Sequence, residues 1–319
     1  MSDRRYHIVL NPNSGTVLGM GLTPDKLKGL FEEAGLPVSI DADGEAPLSD
    51  RIQRALDSDA DVIVAAGGDG TITALSEGLA GTDKTLAILP LGTVNLLARD
   101  LHLPLQLDQA IAALKDLEPR RIDVGELNGH VFLHKVVVGF IPGVAAGREK
   151  IRHRSDIAAK LGFLKYFLRR VARARRMAVV IEPEEGASRV ERVQAIAVAS
   201  NAYDEGLGMF FSRQRLDRGT LTLYVIKHFN LGDMLRLTTE MLVGRWQDDE
   251  ALRIESVRAV TIRSRKQKLK VMLDGEVQTF DTPLNFTIRP LALSILAPLV
   301  PESAAETETE SEAGLVAGI

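Results

Sequence analysis

Val62-Ile63-Val64-Ala65-Ala66-Gly67-Gly68-Asp69-Gly70-Thr71-Ile72-Thr73 decides how this chain folds. Five apolar residues bounded by glycines read as a buried strand. The periodic stretch 72–79, which stops before Gly81, reads as a helix. Glycines at the junction let backbone N–H groups approach an anion with no Cβ in the way. The helix that follows turns its positive end toward the same point. A tight β–α turn that merely uses glycine is the competing reading. Asp69, able to orient the site or engage Mg²⁺, and the Thr71 hydroxyl favour a phosphate-binding turn.

The pattern extends outward from this stretch. Strand-like runs over 6–10, 38–40, 62–66 and 86–89 alternate with helical spacing over 27–34, 48–56, 72–79 and 94–100. Such alternation implies a parallel sheet covered by helices, with ligands at the carboxyl ends of the strands. Two more turns fall at such ends: Asn11-Pro12-Asn13-Ser14-Gly15 and Pro90-Leu91-Gly92-Thr93-Val94-Asn95. Gly92 permits close approach, Thr93 can reach a phosphate, and Asn95 can bind backbone or ribose. Three turns converging on one crevice make a nucleotide site. No G-x-x-x-x-G-K-[ST] loop is present, and Gly19-Met20-Gly21 lacks the third glycine of a dinucleotide fingerprint.

Past residue 120 the pattern changes. Segments 121–127, 131–138, 177–182, 194–200, 221–227, 259–263, 269–273 and 284–289 read as strands, with hairpin turns at Asn128-Gly129 and Asp274-Gly275. Helical stretches interrupt them at 157–176 and 231–244. The predicted class is α/β: an N-terminal α/β nucleotide-binding domain over 1–120, then a mainly antiparallel β-sandwich domain over 121–289. Segment 301–319 reads as a disordered acidic tail.

Composition narrows the function. With 319 residues, 45% apolar and 26% charged, the chain suits two globular domains. The absence of cysteine excludes disulfides and thiolate metal sites. The six histidines match no metal-ligand spacing. No apolar run approaches the ~18–20 residues of a membrane span, so the expected state is soluble or bound to a membrane surface. The formal charge of −4 reflects five glutamates in the tail; without them the body is close to neutral. Residues 148–176 carry eleven Lys and Arg against Glu149 and Asp156, interleaved with Leu161, Phe163, Tyr166, Phe167 and Val171. A basic amphipathic helix of this kind suits an anionic membrane surface; a core-facing helix with a solvated basic face is the alternative. Nucleic acid is not expected as a partner, because aromatics are only 5% of the chain and no recognition motif occurs.

The combination Asn11-Pro12-x-Ser14-Gly15, Gly67-Gly68-Asp69-Gly70-Thr71, Pro90-Leu91-Gly92-Thr93-x-Asn95 and Asp274-Gly275-Glu276 resembles the diacylglycerol kinase catalytic family. Its bacterial soluble lipid kinases are the nearest in length and order, and sphingosine kinases are related. The resemblance covers roughly residues 5–300. It implies an ATP-dependent lipid kinase that uses Mg²⁺ and has its active site between the two domains. The acceptor would be a lipid primary hydroxyl, diacylglycerol-like or sphingoid- or ceramide-like. Gly67, Gly68, Asp69, Gly70, Thr71, Ile72, Thr73, Gly92, Thr93 and Asn95 would contact ATP, with Asn11 and Ser14 nearby. Glu276 would accept the lipid hydroxyl proton, supported by Asp69 and Asp274. Residues 290–300 would pack back onto the first domain. The implied setting is cytoplasmic with peripheral attachment to a membrane; a homodimer is compatible with it. An NAD or nucleotide kinase of the same superfamily and a catalytically inactive lipid-binding homologue are the alternatives.

This chain departs from the family's pattern at several positions. Leu96 stands where relatives carry Asp, Arg218 where relatives carry a structural Mg²⁺ ligand, and Thr73 where Asn is common. Asp41-Ala42-Asp43 replaces a loop in which relatives often have Thr. The expectation is that the structural Mg²⁺ is lost and that the Arg218 guanidinium pairs with Asp69 or Asp123 instead; an Arg218 that simply points to solvent is the alternative.

Overall fold

The computed structural model describes residues 4–142, 162, 165–167, 169–171, 173–204, 212–228, 230–247 and 249–299. The acidic tail and most of the basic stretch 148–176 lie outside these residues. Lys165, Arg169, Arg170, Arg173, Arg175 and Arg176 are described and exposed.

The first domain holds four parallel strands in the order β2-β1-β3-β4: β1 Tyr6–Leu10, β2 Val38–Asp41, β3 Val62–Gly67 and β4 Thr85–Pro90. β3 and β4 are buried along their whole length, which is why both read as unbroken apolar runs. The helices are α1 Gly15–Gly19, α2 Pro24–Glu33, α3 Leu48–Asp57, α4 Asp69–Leu79, α5 Leu96–Asp100 and α6 Leu107–Ala113. Two of them begin before their apolar periodicity does. α2 starts at Pro24, with the Thr23 hydroxyl accepting from the Lys26 amide at 3.3 Å. α4 starts at Asp69, so the glycine turn is itself the first turn of the helix. α5 begins two residues later than its periodicity suggests, because Asn95 is left-handed with φ 53°.

The second domain is antiparallel. Its strands are β5 Glu118–Leu127, β6 His130–Phe132, β7 Lys135–Gly139, β8 Met177–Pro183, β9 Arg189–Val193, β10 Ala195–Ser200, β11 Leu221–Ile226, β12 Leu252–Val257, β13 Ala259–Ser264, β14 Lys268–Leu273, β15 Glu276–Asp281 and β16 Leu284–Ala297. Helix α7, Leu231–Val243, ends on left-handed Gly244. β12-β11-β10-β7-β14-β15 form one sheet. Val136, Val138, Ile196, Val198 and Leu223 on it pack with Ile181, Ile262 and Phe286 of the facing sheet in one buried core.

That facing sheet is continuous with the first domain, running β4-β16-β13-β8-β9. The first part of β16 pairs antiparallel with β13, Leu284 opposite Ile262. Its last part pairs parallel with β4, Ser294 opposite Thr85. Between them its register on β5 shifts from Arg289 to Leu293, where Leu291 takes φ 50°.

The run 131–138 is two strands, not one, because Leu133 and His134 leave the ladder to bind a side chain described below. β9, β12 and β15 carry no obvious sequence signal. All three are outermost strands, rich in charge as exposed edges require. Among the described residues no helix is long and apolar enough to cross a membrane.

Candidate active site

The carboxyl ends of β1, β3 and β4 bring the three turns together. The Asn11 amide donates to the Ala66 carbonyl at 2.9 Å, and Asn11 Nδ2 donates to Thr71 Oγ1 at 3.3 Å. Ser14 Oγ donates to the Leu91 carbonyl at 3.2 Å. The turns pack closely enough to require glycine. A Cβ on Gly67 would lie 2.5 Å from Thr71 Oγ1, and one on Gly92 would lie 3.1 Å from Gly68 Cα and 3.4 Å from the Asp69 nitrogen.

The side chains here divide into scaffold and surface. Thr71 and Ile72 are buried beneath the turn, so they shape it and leave the backbone to face outward. Asn95 is spent on its own turn: Oδ1 accepts from the Gly92 amide at 2.8 Å, and Nδ2 donates to the Pro90 and Gly92 carbonyls. Thr93 is exposed. Asp69 Oδ1 accepts from the Leu96 amide at 3.1 Å, tying the first glycine turn to α5. Asp41 is occupied by Arg51 at 2.8 Å and Arg54 at 2.7 Å. Burial pushes its carboxyl up, but the bonds from Arg54, the Asp43 amide and Arg51 outweigh this and hold it below the usual range.

The second domain supplies the opposite wall. Leu273 and Glu276 are paired across a two-residue hairpin whose turn residues, Asp274 and Gly275, have φ of 45° and 97°. Asp274 is buried and accepts from three consecutive amides: Leu133 at 2.6 Å, His134 at 2.9 Å and Lys135 at 2.9 Å. Burial raises its carboxyl above the ordinary value, against the pull of those amides. Thr73 Oγ1 donates to Asp274 Oδ2 at 3.4 Å across the domain boundary. Glu276 then stands over the start of α4, since a Cβ on Gly70 would lie 2.6 Å from its Oε1. A cleft of about 120 Å³ between α4 and the hairpin is lined by Gly70, Thr73, Asp274 and Glu276, with His130 and Gln278 at its side.

The expected Arg218 pairing is corrected. Arg218 Nη2 meets Asp204 at 3.4 Å, and its amide donates to Asn201 Oδ1. Asp123 is buried with both oxygens committed to the Gly219 and Leu291 amides, at 2.7 and 2.8 Å, and Asp69 is engaged by Leu96. Neither carboxylate pairs with Arg218. Among the described residues no three His, Asp or Glu groups converge as metal ligands.

A buried cluster beside the site carries no signal in the sequence. Arg213, 1% exposed, binds Asp100 of α5 and reaches the Leu133–His134 link that grips Asp274. Asp100 and His134 lie 113 and 79 residues away in sequence, so no spacing announces the cluster. Burial, reinforced by Arg213 and Lys135, holds His134 well below the usual imidazole range, so it is neutral near pH 7. Burial likewise pulls Lys135 down to about 8, and its Nζ lies 5.1 Å over the Tyr203 ring.

Known proteins match this arrangement. The family described as diacylglycerol kinase catalytic domain matches residues 5–127. The family described as YegS C-terminal NAD kinase beta sandwich-like domain matches residues 136–297. A diacylglycerol kinase of Staphylococcus epidermidis is 28% identical over 282 residues, covering 86% of each chain. One from Staphylococcus aureus (strain JH9) is 27% identical over 303 residues, covering 92% of this chain and 93% of that protein. A crystal structure from Bacillus anthracis superposes with a TM-score of 0.70 at 21% identity, over 92% of this chain and 97% of that one. A diacylglycerol kinase structure from the same strain gives a TM-score of 0.61 at 18% identity, with the same coverage. The first domain thus matches the diacylglycerol kinase catalytic domain over residues 5–127, and the chain belongs to the family of the YegS C-terminal NAD kinase beta sandwich-like domain, matched over residues 136–297.

Proposed function

We propose that this protein transfers the γ-phosphate of ATP to a primary hydroxyl of a lipid, in the cleft between the glycine turns and the Asp274-Gly275 hairpin. One observation carries the proposal: the Glu276 carboxylate of the second domain stands against Gly70, at the start of α4. Phosphoryl transfer asks the protein mainly for positioning, charge neutralisation and a base near the attacking oxygen. The amides around Gly67–Thr71 and the start of α4 cradle the phosphates, while Glu276 faces the same point and takes the hydroxyl proton. Asp69 is the carboxylate nearest the phosphate turn, the place for Mg²⁺ arriving with the nucleotide. Asp274 is the hairpin's anchor to the second domain. Its oxygens are taken up by backbone amides, so it holds Glu276 in place and does not itself accept the proton. The protein works at a membrane surface from the cytoplasmic side, reached through the exposed arginines near Arg169, Arg170 and Arg173.

The test is incubation with labelled ATP and a total lipid extract, followed by identification of the labelled product. A labelled lipid is expected. Glu276→Gln should lower its formation by ~10²–10⁴-fold while leaving ATP binding intact. Label on NAD, or on no acceptor at all, would overturn the proposal.

A further inference from the structure

Arginine has five N–H donors in a rigid fork, and Arg213 uses all five inside the protein. Nε and Nη2 donate to Asp100 Oδ2 at 3.0 and 2.6 Å. Nη1 donates to the Leu133 and Ser200 carbonyls at 2.6 and 2.8 Å. The remaining Nη2 proton goes to His134 Nδ1 at 2.7 Å, where neutral His134 presents its lone pair. Asp100 belongs to α5, which follows the second glycine turn, whereas Arg213, Leu133, His134 and Ser200 belong to the second domain. The ion pair therefore crosses the domain boundary, buried on both sides.

Leu133 and His134 are held from two directions. Arg213 takes the Leu133 carbonyl and the His134 ring, and Asp274 takes the amides of the same two residues. Asp274 is followed by Gly275 and Glu276. A continuous path of short polar contacts thus runs from α5 through Arg213 and residues 133–134 to the hairpin, and ends where Glu276 meets Gly70. A buried charge pair is weak as a source of stability, because desolvation consumes most of its attraction. It is strong as a constraint, because a fork making five hydrogen bonds to four residues admits one orientation.

We infer that Arg213 and Asp100 are an interdomain positioning pair that sets where the Asp274–Glu276 hairpin stands over the phosphate-binding turn. The inference rests on the reading of Glu276 as proton acceptor only for its effect on turnover; the effect on residues 133–135 stands without it.

Two variants test it. Arg213→Met combined with Asp100→Leu replaces the pair by apolar groups of similar size, an exchange that buried ion pairs often tolerate. Arg213→Lys keeps the charge but cannot reach Asp100, Leu133 and His134 together. In both, hydrogen exchange at the amides of Leu133, His134 and Lys135 should quicken by ~tenfold or more. The kcat should fall by roughly 10²-fold with the KM for ATP nearly unchanged, since the glycine turns are untouched. Thermal midpoints within a few degrees of wild type in the double variant would separate positioning from collapse. Wild-type protection of those amides in a folded variant, or wild-type kcat in the double variant, overturns the inference. If the double variant does not fold, Arg213→Lys decides by the same exchange measurement. If wild type phosphorylates no lipid, the proposed function fails and amide exchange alone judges the pair.

Discussion

A lysine ammonium at its ordinary value of 10.5 is fully charged at neutral pH; burial brings Lys135 to about 8. In the unfolded chain Lys135 keeps its ordinary value. Between about pH 8 and about 10.5 the unfolded chain therefore holds a proton that the folded protein has released. Stability attributable to this residue rises with pH across that window. Lys135→Met removes the rise, so the denaturation midpoint of wild type should gain on that of the variant as pH increases from about 8. Equal slopes for the two proteins would contradict this. Lys135 also shows where single-residue reading stops. Its place in a β-branched run predicts a strand residue and nothing more. The depressed value arises from burial beside Arg213, which sits far away in sequence. Asp69, Asp274 and Glu276 were legible because each lies in a motif with its glycine. Asp100 and Arg213 have no such neighbours, and their relation exists only once two domains meet.

Among the elements, the two glycine turns make contrasting predictions. Gly92→Ala places a methyl 3.1 Å from Gly68 Cα and 3.4 Å from the Asp69 nitrogen, both backbone atoms that cannot swing aside. The turns must separate, at a cost of ~1–3 kcal/mol, and the KM for ATP should rise by ~tenfold or more, since 1.4 kcal/mol is a factor of ten. Gly70→Ala meets only the Glu276 carboxylate, the mobile end of a side chain. Alanine in place of helical glycine stabilises by up to ~1 kcal/mol, so its thermal midpoint should hold or rise while kcat falls as Glu276 is displaced. Parallel loss of kcat and midpoint in Gly70→Ala would remove Glu276 from that position. The elements nearest these turns were the most legible in the sequence, because buried parallel strands are unbroken apolar runs. The edge strands β9, β12 and β15 were the least legible. Their solvent-facing charges dilute the alternation that marks a strand, and their pairing partners do the ordering.

At the scale of the molecule, β16 joins the parallel strands of the first domain to the antiparallel strands β13-β8-β9 of the second, so neither domain can lose it and keep its edge covered. Unfolding should be a single transition. Fluorescence of Trp246, the chain's one tryptophan, buried in the second domain, should change at the same denaturant concentration as far-UV ellipticity, which reports both domains. Two separated midpoints would show that the domains unfold independently. The same strand bears on biosynthesis. The parallel partner of Thr85 in β4 is Ser294, added more than two hundred residues later. While the ribosome makes everything between them, the first domain emerges with the inner flank of its sheet unzipped and apolar. An open edge of that kind invites pairing with other nascent chains. The crevice between the glycine turns is thus translated early and its sheet completed late, leaving an interval in which a chaperone has something to shield.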